Sequence, residues 1–242
     1  MNAIAGRAIA AIGVVLAFVC IWVDSLPGSS YWSGDGTIGA FCLLLACLAA
    51  LSLVAGYAQT QNGALVAVGA VMLGFYAFVP AVLAFHDWDQ TRAGTWLALA
   101  AGGLIVIGAG SSYLAARPRS TPGGLSAASL TAAAGIGLLF PGMFLDASGG
   151  VSYWETSGHS LGIVMLVIAV AAALAWAATV TGTSTRGVDQ AVTLVALGLV
   201  AFFPVGAAWG DFGNLDAGSW VAFAGGILAA GGTWAARGLD LQ

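Results

Sequence analysis

Lysine is absent from this 242-residue chain, and charged residues of every kind make up only 7% of it. Soluble globular domains carry about 25% charged residues and are roughly half apolar or less. Here hydrophobic residues occupy 60% of the positions, and the mean hydropathy is +0.97. So few charges cannot cover a surface that faces water. The composition therefore excludes an ordinary soluble protein.

The same shortages exclude several chemistries. A protein without lysine cannot form a Schiff base with retinal or pyridoxal phosphate, and it cannot build the lysine-dependent phosphate-binding loop. Neither the His-Glu-x-x-His pattern of zinc proteases nor a Cys-x-x-Cys pair occurs in the sequence. The net charge of -4 provides no basic patch for nucleic acid. We therefore predict a protein that is not an enzyme, holds no cofactor and binds no nucleic acid.

What the chain does contain is an internal repeat. Asp24, Tyr31 and Trp32 recur 122 residues later, whereas Asp87 and Trp96 recur 124 residues later. Repetition at a nearly fixed spacing predicts two equivalent structural units. We call these residues the repeat motif, and its members are Asp24, Tyr31, Trp32, Asp87 and Trp96 with Asp146, Tyr153, Trp154, Asp211 and Trp220.

The predicted boundary between the units falls at residues 117–124. This segment, Arg-Pro-Arg-Ser-Thr-Pro-Gly-Gly, combines two prolines, two glycines and two charges, which is typical of a linker. We predict a first membrane unit at residues 1–116, a cytoplasmic linker at 117–124 and a second membrane unit at 125–242.

Each predicted unit contains four apolar stretches. A membrane-spanning helix needs about 20 apolar residues to cross about 30 Å of hydrocarbon. The length of the stretches and the short gaps between them favour helices over outer-membrane strands. The sequence therefore predicts an all-α polytopic membrane protein with eight transmembrane helices, at Arg7–Val23, Thr37–Tyr57, Gly63–Phe85, Thr95–Ala116, Leu125–Leu145, Ser160–Thr181, Val188–Trp209 and Ser219–Ala236.

The arginines predict how these spans are oriented. Five of the six fall at the chain ends or in even-numbered loops, and the positive-inside rule places such segments in the cytoplasm. We expect both termini to be cytoplasmic, in a bacterial inner membrane, with the two four-helix units parallel rather than inverted. The opposite, outer face is acidic and rich in tryptophan. The tryptophans indicate an aromatic belt, with a platform for a ligand or partner as the alternative.

Small residues predict where helices approach one another, because backbones in lipid associate closely at glycine and alanine. Ala98 and Gly102 occupy the same place in the fourth span as Ala222 and Gly226 in the eighth. The fifth span carries a similar pair, Ala133 and Gly137. Pro80, Pro141 and Pro204 near the ends of odd-numbered spans predict bends, which either open a cavity or only fit the bundle.

The densest polar cluster is His86-Asp87-Trp88-Asp89. Imidazole and carboxylate groups together can hold a divalent cation, but the histidines have no counterpart in the other unit and no ligand-spacing motif surrounds them. We predict no metal site. Asp24 and Asp146 are expected to cap or terminate helices and to contact the repeated Tyr-Trp loop. Cys20, Cys42 and Cys47 are expected to be free thiols.

The segment from Val68 to Gly110 is a glycine-spaced helix that ends near a proline, followed by a loop and by Trp96, which opens a second glycine-rich helix. It resembles the SPW repeat of small bacterial membrane proteins, and Leu197 to Gly232 is similar. Val79-Pro80-Ala81 and Phe203-Pro204-Val205 stand at the signature positions, so the Ser and Trp of that signature are missing. The resemblance implies a membrane location and no particular activity.

Three hypotheses about function follow. The first is a non-enzymatic accessory or structural protein that packs with other membrane subunits, or with itself, in the lipid bilayer. Small-residue helix faces and short loops favour it. The alternative is a small-solute permease or channel with a pathway between the two repeats, favoured by parallel repeats and proline-containing helices. A membrane enzyme that uses His86, Asp87 and His159 ranks last.

Overall fold

The computed structural model describes residues 3–34, 36–55, 63–83, 88–116, 125–156, 159–182, 187–207 and 212–236. Within these residues the chain is mostly helical, and five helices are long and apolar enough to cross a membrane. The predicted all-α membrane class is confirmed to this extent. The chain divides into two compact units, Met1–Ala116 and Arg117–Gln242. The predicted linker at 117–124 lies outside the described residues.

The described residues of the first unit form four long helices and one short one. They are α1 (Ala3–Val19), α2 (Tyr31–Gly34), α3 (Gly36–Ala55), α4 (Gly63–Leu83) and α5 (Ala93–Ala116). Helix α5 packs against α1 and α4, and α3 also contacts α1 and α4. Each long helix therefore touches two others, as in a four-helix bundle.

The second unit follows the same plan. Its helices are α6 (Ala127–Phe144), α7 (Ser160–Val180), α8 (Val188–Val200), α9 (Phe202–Gly206) and α10 (Ala217–Ala236). Helix α10 packs against α6 and α8, and α7 also contacts α6 and α8. In its order of contacts, α6 thus corresponds to α1, α7 to α3, α8 to α4 and α10 to α5.

A two-stranded antiparallel hairpin follows the first helix of each unit. Strands β1 (Asp24–Leu26) and β2 (Ser29–Ser30) form the first, and β3 (Asp146–Ser148) and β4 (Val151–Ser152) form the second. Asp24 faces Ser30 and Asp146 faces Ser152, so the two registers agree. Asp24 and Asp146 do not cap helices, because both residues begin strands, but each pairs with the residue directly before the repeated Tyr-Trp, as expected of a contact with that loop.

Glycine makes these tight turns possible. Gly28 has φ +72°, and Gly149 and Gly150 have φ +60° and +76°. A side chain is strained in this left-handed region, whereas glycine adopts it freely. The first turn uses Pro27 before Gly28, which suits a turn that needs a positive φ only at its second central residue.

Two predicted spans differ from the helices observed. Helix α1 ends at Val19, four residues before the predicted end, because the chain turns there into the hairpin. The predicted span Val188–Trp209 is interrupted at Ala201, between the 13-residue α8 and the five-residue α9. Pro204 explains the break, since it has no N–H for the carbonyl of Val200 and its ring crowds that carbonyl.

The other two prolines do not end their helices. Pro80 lies within α4 and Pro141 lies within α6. The five helices that satisfy the length and hydropathy needed for a membrane span are α3, α4, α5, α6 and α7. Helices α1 and α8 are shorter, at 17 and 13 residues. Eight crossings therefore stay a prediction.

Close backbone contacts hold the first and last helices of each unit together. A Cβ atom added at Gly13 of α1 would lie 2.8 Å from the carbonyl oxygen of Ala101 in α5. At Gly135 of α6 it would meet the backbone nitrogen of Ala229 in α10, and the carbonyl oxygen of Gly225 lies at 2.7 Å. Small residues are therefore required here, because only they let the two backbones come so near.

The residues predicted for helix packing have different surroundings. Ala98 and Ala222 are fully buried. A Cβ at Gly102 would lie 2.8 Å from Leu73 Cα in α4, and one at Gly226 would lie 3.1 Å from Leu197 Cα in α8.

Ala133 and Gly137 do not make such a contact in their own unit. Gly137 is exposed, with nothing within 4 Å of the place a Cβ would occupy, and Ala133 is only partly buried. The contact falls on Gly135 and Gly142 instead. Gly135 and Gly142 face α10, whereas Gly137 faces away from it. The close contact predicted at Ala133 and Gly137 is therefore corrected to Gly135 and Gly142.

Candidate functional site

Most of the described residues of the repeat motif gather where each hairpin meets the last helix of its unit. The first hairpin cap comprises residues 20–34 and the start of α5. The second hairpin cap comprises residues 142–156 and the start of α10. A short 3₁₀ turn precedes each of these helices, at Trp88–Gln90 and at Phe212–Asn214.

A buried hydroxyl group ties each hairpin to its helix. Thr95 Oγ1 donates a hydrogen bond of 2.7 Å to the carbonyl oxygen of Ser25. Ser219 Oγ donates one of 2.7 Å to the carbonyl oxygen of Ala147. Each of these carbonyls also accepts a backbone N–H, from Arg92 in the first cap and from Asp216 in the second. The same carbonyl is therefore satisfied twice in both caps.

Glycine allows the helix to approach the hairpin this closely. A Cβ at Gly94 would meet the carbonyl oxygen of Val23 and would lie 2.7 Å from that of Asp24. A Cβ at Gly218 would meet the carbonyl oxygen of Leu145 and would lie 2.7 Å from that of Asp146. The repeated Gly-Thr or Gly-Ser pair thus combines a close approach with a hydrogen bond.

The repeated tryptophans lie at the edge of each cap. The backbone N–H of Trp32 donates to the carbonyl oxygen of Ile21, and its ring centroid is 4.9 Å from that of Trp22. Trp154 donates in the same way to Met143, and its ring packs on Phe144 at 5.2 Å. The side chains of Trp22, Trp32, Trp96 and Trp220 are all exposed within the chain.

The repeated tyrosines are buried, and they differ between the units. The hydroxyl of Tyr153 lies 3.5 Å from Ser219 Oγ. The hydroxyl of Tyr31 has no hydrogen-bond partner among the described residues. Burial raises the pKa of Tyr153 to about 12 and that of Tyr31 well above its ordinary value. Both phenols are therefore neutral at physiological pH.

The described carboxylates of the repeat motif take no part in the contact between the hairpin and the last helix. Asp24 and Asp146 are exposed, and their place in the caps is set by backbone pairing. Asp87 and Asp211 lie outside the described residues, as does His86. The proposed convergence of His86, Asp87 and His159 is therefore not tested.

His159 contacts Trp154 of its own loop. Its Nδ1 lies 2.7 Å from the carbonyl oxygen of Trp154, and its ring centroid lies 5.6 Å from that of Trp154. It adopts φ +74° at the residue that precedes α7. Among the described residues, no three His, Cys, Asp or Glu side chains gather in a way that could hold a metal ion.

Sequence reasoning missed a buried polar cluster in the second unit. Asp189, Gln190 and Thr193 lie in the first turns of α8 and are almost completely buried. Thr179 Oγ1 donates to Asp189 Oδ2 at 3.3 Å, and the hydroxyls of Thr193 and Thr233 lie 3.0 Å apart. Asp189 and Thr193 are four residues apart, so they share one helix face. This spacing is the only signal in the sequence, and by itself it does not distinguish a buried pair from an exposed loop residue.

A short serine motif was also missed. Gly158-His159-Ser160-Leu161-Gly162 has the Gly-x-Ser-x-Gly spacing of the serine hydrolase nucleophile elbow. That elbow requires a strand before the serine and an exposed hydroxyl. Ser160 instead is fully buried at the start of α7, and among the described residues the last strand before it ends at Ser152. The local structure therefore differs from that of a hydrolase nucleophile.

Comparison of the chain with protein-family models, with curated proteins and with solved structures finds no match. The resemblance to the SPW repeat accordingly stays a prediction. A proposal of function therefore has to be based on the sequence and structure of this chain.

Proposed function

We propose that this protein is a non-enzymatic integral membrane protein that packs with other membrane subunits, or with further copies of itself. Two neighbouring helices of the second unit, α6 and α7, support the proposal. Each keeps an apolar stripe that the described residues of its own unit do not cover.

The stripe on α7 has the spacing of a helix-packing face. Its large exposed residues follow one another at intervals of four, three and four positions, which keeps them on one side of the helix. Only 17% of the apolar window of α7 is buried, compared with 61% for α4. The exposed residues are Ile163, Val167, Val170 and Leu174.

The stripe on α6 carries the proposal. Its exposed residues have the same spacing and are Leu130, Ala134, Gly137, Pro141 and Phe144. Lipid alone would accept large side chains along this whole face, yet two small residues stand at its centre. In a membrane, small residues are what permit another helix to approach closely. The open space at Gly137 therefore suits the backbone of a helix from a partner subunit or a second copy.

The test is the assembly state of the full-length protein in mild detergent. We expect light scattering to give a mass larger than one chain, from self-association or from a co-purifying subunit in fixed ratio. Gly137→Leu should dissociate this assembly, because a large side chain would hold the partner helix away. Gly231→Leu is the matched control, since Gly231 of α10 is equally open.

The control should leave the assembly intact. A lone monomer, or an assembly equally sensitive to both substitutions, would contradict the proposal.

The membrane arrangement belongs to the same proposal. We infer eight crossings, parallel repeats and cytoplasmic termini in a bacterial inner membrane. The equal registers of the hairpins and the equal order of helix contacts support the repeat. The distribution of arginine along the chain supports the orientation.

A small-solute permease is the second candidate. The buried carboxylate of Asp189 and the interruption between α8 and α9 favour it, since transporters place ionisable groups and broken helices at their binding sites. Reconstituted vesicles should then show saturable uptake of a solute. That uptake should be lost in Asp189→Asn and kept in Asp146→Asn, which alters an exposed carboxylate. Absence of uptake across a panel of ions and small solutes would exclude this candidate.

A further inference from the structure

We propose that the first hairpin cap binds the headgroup of a zwitterionic aminophospholipid, with the guanidinium of Arg92 on the lipid phosphate and the carboxylates of Asp24 and Asp89 on its ammonium group. The proposal rests on the membrane location of the chain, because the lipid must lie beside the cap. It does not involve the exposed faces of α6 and α7, so it is independent of the proposed assembly.

Arg92 lies at the end of a membrane-spanning helix. The apolar span of α5 begins at Ala93, the residue directly after it. Because the hydrocarbon ends where the apolar residues end, Arg92 lies at the level of the lipid headgroups. The exposed rings of Trp22, Trp32 and Trp96 in the same cap are of the type found at this level. Phospholipid headgroups are therefore the molecules that the cap meets in a membrane.

Hydrogen bonds to the main chain hold Arg92 in place. Its backbone N–H donates to the carbonyl oxygen of Ser25, and its own carbonyl oxygen accepts the N–H of Thr95, both at 3.1 Å. Arg92 Nη1 donates to the carbonyl oxygen of Asp89 at 2.9 Å. This bond leaves the guanidinium with several further N–H donors, and an uncharged carbonyl does not neutralise its positive charge. The exposed guanidinium is therefore anchored and can form paired hydrogen bonds with a phosphate group.

Two exposed carboxylates belong to residues that adjoin this contact. Asp24 directly precedes Ser25, whose carbonyl oxygen bonds the backbone of Arg92, and Asp89 supplies the carbonyl that the guanidinium contacts. A purely anionic headgroup would be repelled by both carboxylates. The ammonium group of an aminophospholipid, which lies close to its phosphate, would instead be attracted to them. The charges of the cap therefore favour a zwitterionic headgroup over an anionic one.

The second unit lacks this combination of charges. Asp216 stands 124 residues after Arg92 and forms the same backbone bond to its hairpin, from its N–H to the carbonyl oxygen of Ala147. The carboxylate of Asp216 accepts the backbone N–H of Gly150 in the hairpin turn at 2.9 Å. The second hairpin cap thus has a carboxylate where the first has a guanidinium, so the proposed site belongs to the first unit.

Native mass spectrometry of the full-length, delipidated protein tests the proposal. Phosphatidylethanolamine, phosphatidylcholine and phosphatidylglycerol are titrated separately in mild detergent, and the bound lipid is counted. We expect phosphatidylethanolamine to bind most tightly, because the methylated ammonium of phosphatidylcholine has no N–H to donate and phosphatidylglycerol is anionic. Arg92→Gln should weaken the binding of phosphatidylethanolamine by about three- to tenfold, since charge-assisted bonds to the phosphate are lost. Arg92→Lys should keep part of the affinity, because lysine retains the charge but not the paired bonds.

Asp146→Asn is the matched control for Asp24→Asn. Both carboxylates are exposed and begin the first strand of their hairpins, but only Asp24 lies in the cap that contains Arg92. Asp24→Asn and Asp89→Asn should each reduce the preference for phosphatidylethanolamine over phosphatidylglycerol. Asp146→Asn should leave that preference unchanged.

Four results would overturn the proposal. They are equal binding of the lipids, tighter binding of phosphatidylglycerol, binding that Arg92→Gln does not weaken, and equal effects of Asp24→Asn and Asp146→Asn. The Tm of Arg92→Gln in lipid-free detergent should match that of the unaltered protein, because the side chain is exposed. A large fall in this Tm would assign Arg92 a structural role instead. The assembly is measured by its mass and this site by its bound lipid, so either proposal can fail alone.

Discussion

At the scale of single residues, the two hairpin caps are held by the same few atoms. A hydroxyl at the third position of the last helix reaches a carbonyl in the first strand, and a glycine just before it gives the backbone room. The hydroxyl comes from Thr95 in the first cap and from Ser219 in the second, because the bond needs only the hydroxyl group that both possess.

Loss of this hydroxyl should weaken each unit. We expect Thr95→Val and Ser219→Ala each to lower the free energy of unfolding by about 1 kcal/mol, the usual contribution of one buried hydrogen bond. The cost stays moderate because a backbone N–H continues to satisfy the same carbonyl. Denaturant or thermal unfolding in detergent measures the change.

Thr131→Val is the control for Thr95→Val. The hydroxyl of Thr131 is exposed and bonds only within its own helix, to Ala127. The control should change the free energy of unfolding by well under half as much. Equal effects of Thr95→Val and Thr131→Val would contradict the role given to the cap hydroxyl.

Only part of this site is predictable from the sequence. The repetition of Tyr31-Trp32 and Trp96 marks the caps, because identical residues recur at nearly identical spacing. The partner of Thr95 is not predictable, since it is a backbone carbonyl 70 residues away. Asp189 escapes notice for another reason: one carboxylate at the start of an apolar stretch has the sequence pattern of an exposed loop residue.

At the scale of helices, α6 has two faces with opposite requirements. Gly135 meets the backbone of α10, whereas Gly137, two residues later, has nothing within 4 Å. A rotation of about 200° separates two such positions on a helix, so they point in nearly opposite directions. The pair allows one test of helix packing within a single element.

Gly135→Ala and Gly137→Ala should have opposite effects on stability. The added methyl group at Gly135 must push α6 and α10 apart, which we expect to cost about 1–3 kcal/mol. At Gly137 the same methyl group meets no atom of the described chain, so in a detergent that dissociates the assembly alanine favours the helix by about 0.5–1 kcal/mol relative to glycine. Thermal unfolding in detergent compares the two. Similar destabilisation by both substitutions would show that α6 does not have this orientation.

The existence of the helices follows from the apolar stretches, but their ends and faces do not. Pro80 and Pro141 lie inside helices, whereas Pro204 follows a break. In each case the proline removes one hydrogen bond, and the outcome depends on which neighbouring groups satisfy the freed carbonyl. The small-residue pattern predicts that α6 packs closely against another helix, and α6 does so against α10. The pattern places this contact at Gly137, however, whereas the structure has it at Gly135.

At the scale of the whole molecule, composition carries most of the information. A chain with 7% charged residues and five long apolar helices belongs in a lipid bilayer. The same composition leaves function open, because lipid-facing and partner-facing helix surfaces are built from the same apolar residues. Only residues that lipid does not require, such as Gly137 on an open face or a buried Asp189, separate the candidates.

The proposed arrangement is tested most directly by the sidedness of three single cysteines. In a variant without Cys20, Cys42 and Cys47, cysteine is introduced at Ser120, Ser184 or Gln90, and intact cells are treated with a maleimide that cannot cross membranes. If parallel four-helix repeats span the membrane with their arginines inside, Gln90→Cys is labelled in intact cells. Ser120→Cys and Ser184→Cys are then labelled only after permeabilisation. Labelling of Ser120→Cys and Ser184→Cys from opposite sides of the membrane would contradict the parallel repeat.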